Sequence, residues 1–268
     1  MTTVAADTWV GHELGTRTVS WNERDAMLFA LAVGARTDQL DLVYERDLRV
    51  LPTFGLTLAQ WAPDLLGAAN AFDVGRALHA AQRLVVHEPI PPRGEVLMAA
   101  RVAAVWDKGS AALFEVDVEC EFFTATWSIF APGQGGFGGE RGPSATRADK
   151  AGPVQRRRST VAANAALLYR LSGDRHAIHV DPVAARAIGQ PRPILHGLAT
   201  LATAASVVAD LLGAHPCDVV ELSGRFTSVV FPGESIDIVA GPNDRFWVET
   251  ERGIAIDHGL ARFRAPDH

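Results

Sequence analysis

Apolar positions recur at helical spacing across 22–34, where Ala26, Phe29, Ala30 and Val33 share a face. Asn22 supplies a capping oxygen before this run and Gly34 a stop after it. A second apolar stretch, 53–66, also reads as helix. Strand-like runs follow at 81–87, 95–106, 111–121 and 124–130, punctuated by Gly94 and by Lys108-Gly109. The same order then returns. Residues 162–171 read as a short helix. Residues 194–212 read as a long helix of small side chains ending near Gly213. Strand-like runs at 219–230, 235–240, 245–251 and 254–263 complete the chain. A helix, a longer apolar helix and an antiparallel run of strands, given twice, predict two α+β units. A helix rich in Ala, Gly, Ser and Thr needs close neighbours, and a curved sheet wrapped around it is one way to supply them.

The pattern breaks at 132–158, which is rich in Gly, Pro and charge and poor in aliphatics. It reads as a linker or long surface loop between an N-terminal unit, 1–131, and a C-terminal unit, 159–268. With 268 residues, 48% of them hydrophobic, the chain can bury a real core. The net charge of −6 lacks the basic footprint of a nucleic-acid binder. An anionic ligand would need a local basic patch, for which Arg156-Arg157-Arg158, Arg170, Arg175 and Arg192 are candidates. A run of three arginines beside a linker reads equally well as a solvated face.

Cys120 and Cys217 lie far apart and form no CxxC pair, which argues against a disulfide framework or a structural zinc. The opening residues lack the basic and apolar regions of a secretory signal. The most apolar segment, 195–213, is too short and too polar to span a bilayer. These features predict a reduced, cytoplasmic protein with no membrane partner. His79 and His87 read as structural histidines, and the six tryptophans as packing residues.

Chemistry concentrates in 169–200, YRLSGDRHAIHVDPVAARAIGQPRPILHGLAT. Asp174 follows Ser-Gly at a helix end. His179 comes five residues later, with His176 between them. His196 and Gly197 stand near the start of the long helix. A carboxylate and an imidazole held together can share control of one water, one group orienting and deprotonating it while the other delivers a proton. A helix N-terminus offers unpaired N–H groups, and at Gly197 no side chain would block the approach of a carbonyl oxygen. Taken alone, an Asp after Gly is also a common turn residue. His176, His179 and His196 are also candidate metal ligands, but their spacing matches neither H-x-x-x-H nor H-E-x-x-H, so no metal is expected.

The segment resembles the signature of the MaoC-like dehydratases, specifically the hydratase 2 family as in peroxisomal multifunctional enzyme type 2. Tyr169, Leu171, Ser172, Gly173, Asp174, His179, Asp181, Pro182 and Ala185 match it, followed by Pro193-Ile194-Leu195-His196-Gly197-Leu198. Glu23-Arg24-Asp25, Leu51-Pro52-Thr53-Phe54-Gly55 and Leu78-His79-Ala80-Ala81-Gln82 resemble landmarks of the family's N-terminal half. The resemblance implies a double hotdog, each half an antiparallel sheet wrapped around a long central helix. It implies reversible syn hydration of a trans-2-enoyl-CoA to the (R)-3-hydroxyacyl-CoA, in fatty-acid or steroid side-chain metabolism. No cofactor is implied, coenzyme A being part of the substrate. The N-terminal hotdog would accommodate the acyl chain, and the protein would be a homodimer. Asp174 and His179 are then catalytic, Gly197 supplies the oxyanion N–H, and His176, Ser172 and His196 contact substrate. The rival expectations are a hotdog acyl-CoA thioesterase and a non-catalytic acyl-CoA-binding subunit. One departure stands out: His176-Ala177 replaces the family's Asn-Pro. Either His176 keeps an equivalent hydrogen bond, or the loop has drifted and the pH profile with it.

Overall fold

A computed structural model describes residues 5–143 and 152–265. The N-terminal half runs β1 (Glu13–Trp21), α1 (Glu23–Ala32), α2 (Leu40–Val43), α3 (Phe54–Leu58), α4 (Trp61–Ala68), β2 (Leu78–Val86), β3 (Gly94–Asp107), β4 (Ala111–Glu119) and β5 (Phe123–Pro132). The C-terminal half runs β6 (Gln155–Thr160), α5 (Ala165–Tyr169), α6 (Pro182–Ala187), α7 (Gly197–Leu212), β7 (Val219–Phe226), β8 (Ser235–Ala240), β9 (Arg245–Thr250) and β10 (Gly253–Phe263).

The ten strands form one sheet in the order β1-β3-β4-β5-β2-β7-β10-β9-β8-β6. Every ladder is antiparallel. Each half contributes five strands, and the second five mirror the order of the first. The halves meet where β2 pairs with β7, with Leu84 opposite Leu222. This is the double hotdog that the resemblance implies. Strands β3, β4 and β5 alternate buried and half-exposed residues, as strands with one face on a core do.

Helix α7 packs against β6, β7, β8 and β10. Its buried Ala199, Ala202, Ala204, Ala205 and Ala209 let the sheet approach closely. Gly213, at φ 71°, closes it in the left-handed conformation, as its position in the sequence suggests. Asn22 caps α1 by accepting from the N–H groups of Arg24 and Asp25. In the N-terminal half the expected long helix is instead two short ones, α3 and α4. Pro63 explains the break, because it has no N–H to give to the carbonyl of Ala59 and its ring crowds that turn.

The segment 132–158 is not all linker, and two ordered pieces flank its undescribed centre. At its start, Asp107 of β3 accepts from the N–H groups of Gly136 and Gly138 at 2.9 and 2.8 Å, which ties the glycine-rich loop to the sheet. At its end, residues 155–158 are the start of β6, paired with β8. The arginines there are committed to ion pairs. Arg156 meets Glu249 at 2.7 Å, Arg157 meets Asp210 at 2.8 Å, and Arg158 approaches Asp237 at 3.8 Å. An edge strand exposed on most of its length carries no hydrophobic alternation, which is why β6 reads as a charged loop in sequence.

Candidate active site

After α5 the chain makes a 3-10 turn at Arg170–Ser172 and then reverses at Gly173, whose φ of 154° lies outside the range L side chains favour. A Cβ at this position would lie 3.3 Å from the carbonyl oxygen of Thr57 in α3. The loop therefore rests directly on the N-terminal half, and the site forms where the two halves meet.

Asp174 follows. Its Oδ1 accepts from the backbone N–H of His176 at 3.0 Å and pairs with the His176 ring Nδ1 at 2.7 Å. A further 3-10 turn, Ala177–His179, swings His179 back toward the carboxylate. His179 Nδ1 donates to the carbonyl of Ile194 at 2.9 Å, which fixes the tautomer and leaves Nε2 as a bare lone pair. That Nε2 lies 3.8 Å from Asp174 Oδ2. The gap is too long for a direct hydrogen bond and suits a water that donates one hydrogen to each atom.

His196 is the N-cap of α7, so the helix begins three residues later than the apolar pattern suggests and Gly197 is its first residue. The N–H groups of the first turn have no acceptor within the helix. A Cβ on Gly197 would stand 3.1 Å from the Phe226 ring. The His196 ring stacks on His179 with centroids 3.6 Å apart, and its Nε2 donates to the Asp174 carbonyl at 3.2 Å. Its Nδ1 is buried with no partner among the described residues. The Tyr169 ring also packs on it, tilted by 41° with centroids 4.7 Å apart.

The electrostatics follow from this packing. Burial opposes ionisation of Asp174, but the hydrogen bonds and charge of the surrounding histidines, His176 foremost, outweigh it and hold the carboxyl well below its ordinary range. The same hydrogen bond raises His176. Burial lowers His179, against the pull of the Asp174 charge. Burial, and then His179, push His196 down to about 3. At neutral pH the site therefore holds an ionised Asp174 and neutral His179 and His196.

Asp174, His179 and His196 offer nitrogen and oxygen atoms within 4.8 Å of one another. The two imidazole planes are tilted by only 23° with centroids 3.6 Å apart, and His179 Nδ1 and His196 Nε2 are already bonded to main-chain carbonyls.

The structure thus brings together Asp174, His176, His179 and His196, with Gly197 beside them. His196, expected to touch substrate, is 2% exposed and contacts His179 and Asp174. Ser172 is near in sequence, but its Oγ is buried without a partner among the described residues. Two groups escaped the sequence reading. Asp64 of α4 acts electrostatically on His176 and Asp174, and burial raises its own carboxyl. His79, read as structural, is half-buried with its Nε2 enclosed, its ring edge-on to Phe226, which in turn faces Gly197; desolvation lowers it to about 4. No local spacing could reveal either, since each lies about a hundred residues from the loop it meets.

Architecture and site together place the chain among the double-hotdog proteins. Residues 19–130 match the MFE-2 hydratase 2 N-terminal domain, and residues 145–250 match the MaoC like domain. The chain belongs to the MaoC-like hydratase 2 family. It is 36% identical over 254 residues to the enoyl-CoA hydratase ChsH3 of Mycobacterium tuberculosis, covering 87% of each chain. It is 32% identical over 263 residues to the peroxisomal enoyl-CoA hydratase 2 of Arabidopsis thaliana, covering 86% of this chain and 85% of that one. In fold it is similar to the crystal structure of a MaoC-like dehydratase from Phytophthora Capsici, with a TM-score of 0.86 and 23% identity, covering 98% and 99% of the two chains.

Proposed function

We propose that this protein is an (R)-specific 2-enoyl-CoA hydratase, a hydro-lyase that reversibly adds water to a trans-2-enoyl-CoA. The observation that carries the reading is the 3.8 Å space between His179 Nε2 and Asp174 Oδ2, one a neutral lone pair and the other an ionised oxygen. A water held there donates to both. As its oxygen bonds to C3, Nε2 takes one proton, and the π electrons move onto the thioester oxygen, where the Gly197 N–H receives the charge. The imidazolium, stabilised by Asp174, then returns that proton to C2 on the same face. The water is consumed whole, and the protein ends in its starting protonation state. The reading requires no resident metal or redox cofactor. Relatives named for enoyl-CoA hydration and 3-hydroxyacyl-thioester dehydration support the substrate class.

The reading extends to a cytoplasmic homodimer serving β-oxidation. Among the described residues no helix is long and apolar enough to cross a membrane. Sedimentation of the purified chain tests the dimer. Incubation with crotonyl-CoA tests the activity. Loss of enoyl absorbance with no free thiol supports hydration. Release of free coenzyme A would make the protein a thioesterase, and binding without turnover would make it a non-catalytic subunit.

A further inference from the structure

Strand β2 runs along the seam between the halves, and it carries a bulge. His79 pairs with Ile129 of β5 and Ala81 with Ser128, so Ala80 is an extra residue in that ladder. Side chains alternate between faces along a strand, and the extra residue turns His79 onto the same face as Gln82. That face is the inner one, because Ile129 and Trp127, the β5 partners of His79 and Gln82, are both buried. Across the seam Gln82 pairs with Gly224 of β7, where a Cβ would lie 3.2 Å from Leu201 of α7. Phe226 stands two residues further along β7, on that same face. The bulge therefore aims His79 at the part of the sheet that α7 covers. Its ring meets Phe226 with centroids 4.9 Å apart and planes at 61°, a geometry that aromatic pairs favour.

Phe226 in turn backs Gly197. Outside the helix itself, the three atoms nearest to a Cβ built on Gly197 all belong to the Phe226 ring, the first at 3.1 Å. Gly197 is otherwise tied through His196, whose ring stacks on His179 and donates to the Asp174 carbonyl. The amide that opens α7 is thus held from two directions, by the acid–base loop and by Phe226. His79 is what the N-terminal half adds to the second. Its Nε2 is enclosed with no partner among the described residues, so that edge of the ring supplies shape and no hydrogen bond. Desolvation keeps the ring neutral down to about 4, so Phe226 meets an uncharged imidazole at neutral pH.

We infer that His79 is a positioning residue of the hydration site: packed on Phe226, it holds the Gly197 N–H where the thioester oxygen gains charge. The inference rests on the hydratase reading. It gives the N-terminal half, expected only to house the acyl chain, a part in the chemistry. An oxyanion donor works only when it lies about 2.7–3.1 Å from the developing charge. A misplacement of about 1 Å can cost on the order of a hundredfold in rate. A ring that backs the amide at one remove controls a fraction of that distance.

The experiment is a double-mutant cycle on crotonyl-CoA hydration, run on protein whose folding is checked by urea titration. His79→Ala lowers kcat about tenfold while KM stays within about twofold. His79→Val takes its place in the cycle if His79→Ala does not fold. His79→Phe, which restores a ring against Phe226, returns kcat to within about threefold of wild type. Phe226→Leu leaves His79 in place and lowers kcat to a similar extent. The double variant His79→Ala/Phe226→Leu is no slower than the slower single variant, because the first residue acts through the second. A merely structural His79 would lower the urea midpoint and leave kcat of the folded protein unchanged, which overturns the inference. So do a His79→Phe variant as slow as His79→Ala and losses that multiply in the double variant. A raised KM at constant kcat also overturns it and makes His79 a substrate contact. Failure of the wild-type protein to hydrate crotonyl-CoA overturns the hydratase reading instead.

Discussion

The imidazole rings of His179 and His196 stack 3.6 Å apart, and each is anchored by a hydrogen bond to the main chain of the other's neighbourhood. His179 donates to Ile194, two residues before His196, and His196 donates to Asp174, five residues before His179. The arrangement locks the acid–base loop to the entrance of α7. On the proposed mechanism His196 acts through His179 and Asp174. His196→Phe keeps a buried ring but deletes the donor to the Asp174 carbonyl. We expect kcat to fall about ten- to a hundredfold with KM little changed, and stability to fall by about 1–3 kcal/mol because a buried carbonyl loses its partner. Steady-state kinetics and urea unfolding check both. A raised KM at constant kcat would return His196 to the substrate surface.

His176 titrates where the family's asparagine does not. Its pKa is raised chiefly by the bond to Asp174, so the imidazolium persists above pH 6.5 and then loses its proton. The wild-type kcat profile should therefore carry an alkaline limb above 6.5, beside an acid limb below 6.5 set by the lowered His179. His176→Asn retains the backbone N–H bond to Oδ1 and removes the ring, so the alkaline limb should vanish while the acid limb remains. Matching profiles for the two proteins would reject a special role for His176.

Much of the fold is legible from the pattern, and what is not has a common cause. The alternating β3–β5 and the glycine-stopped helices are visible because one face of each is buried. Strands β1 and β6 are not, because they are the two edges of the sheet and are largely exposed. The site is legible as the residues of one 32-residue segment, but its geometry is not. Spacing alone does not reveal that Gly197 opens the helix, that His196 is buried beneath His179, or that Asp64 reaches the loop from the opposite half.

Acid should destabilise the protein through its desolvated histidines. In the unfolded chain each ring protonates near pH 6.5, whereas desolvation keeps His79 neutral to about 4 and His196 to about 3. Between those limits unfolding takes up protons, so stability falls as pH drops below 6.5. The loss is about 1.4 kcal/mol per pH unit for each ring. His176, with its raised pKa, works the other way, since its contribution is complete below 6.5 and is lost as pH rises through its folded value. Its ring is half exposed, which makes that term smaller. Urea midpoints between pH 6.5 and 5 should decline steadily. A flat line would mean that His79 and His196 charge freely in the folded protein.

The most direct measurement is kcat for crotonyl-CoA hydration by wild type, Asp174→Asn, His179→Gln and the double variant. If the two side chains share one water, each single variant loses about a hundredfold or more, and the double variant is scarcely worse than either, because the pair works as a unit. A single variant that keeps kcat within a few-fold of wild type, or losses that simply multiply in the double variant, would contradict that shared role.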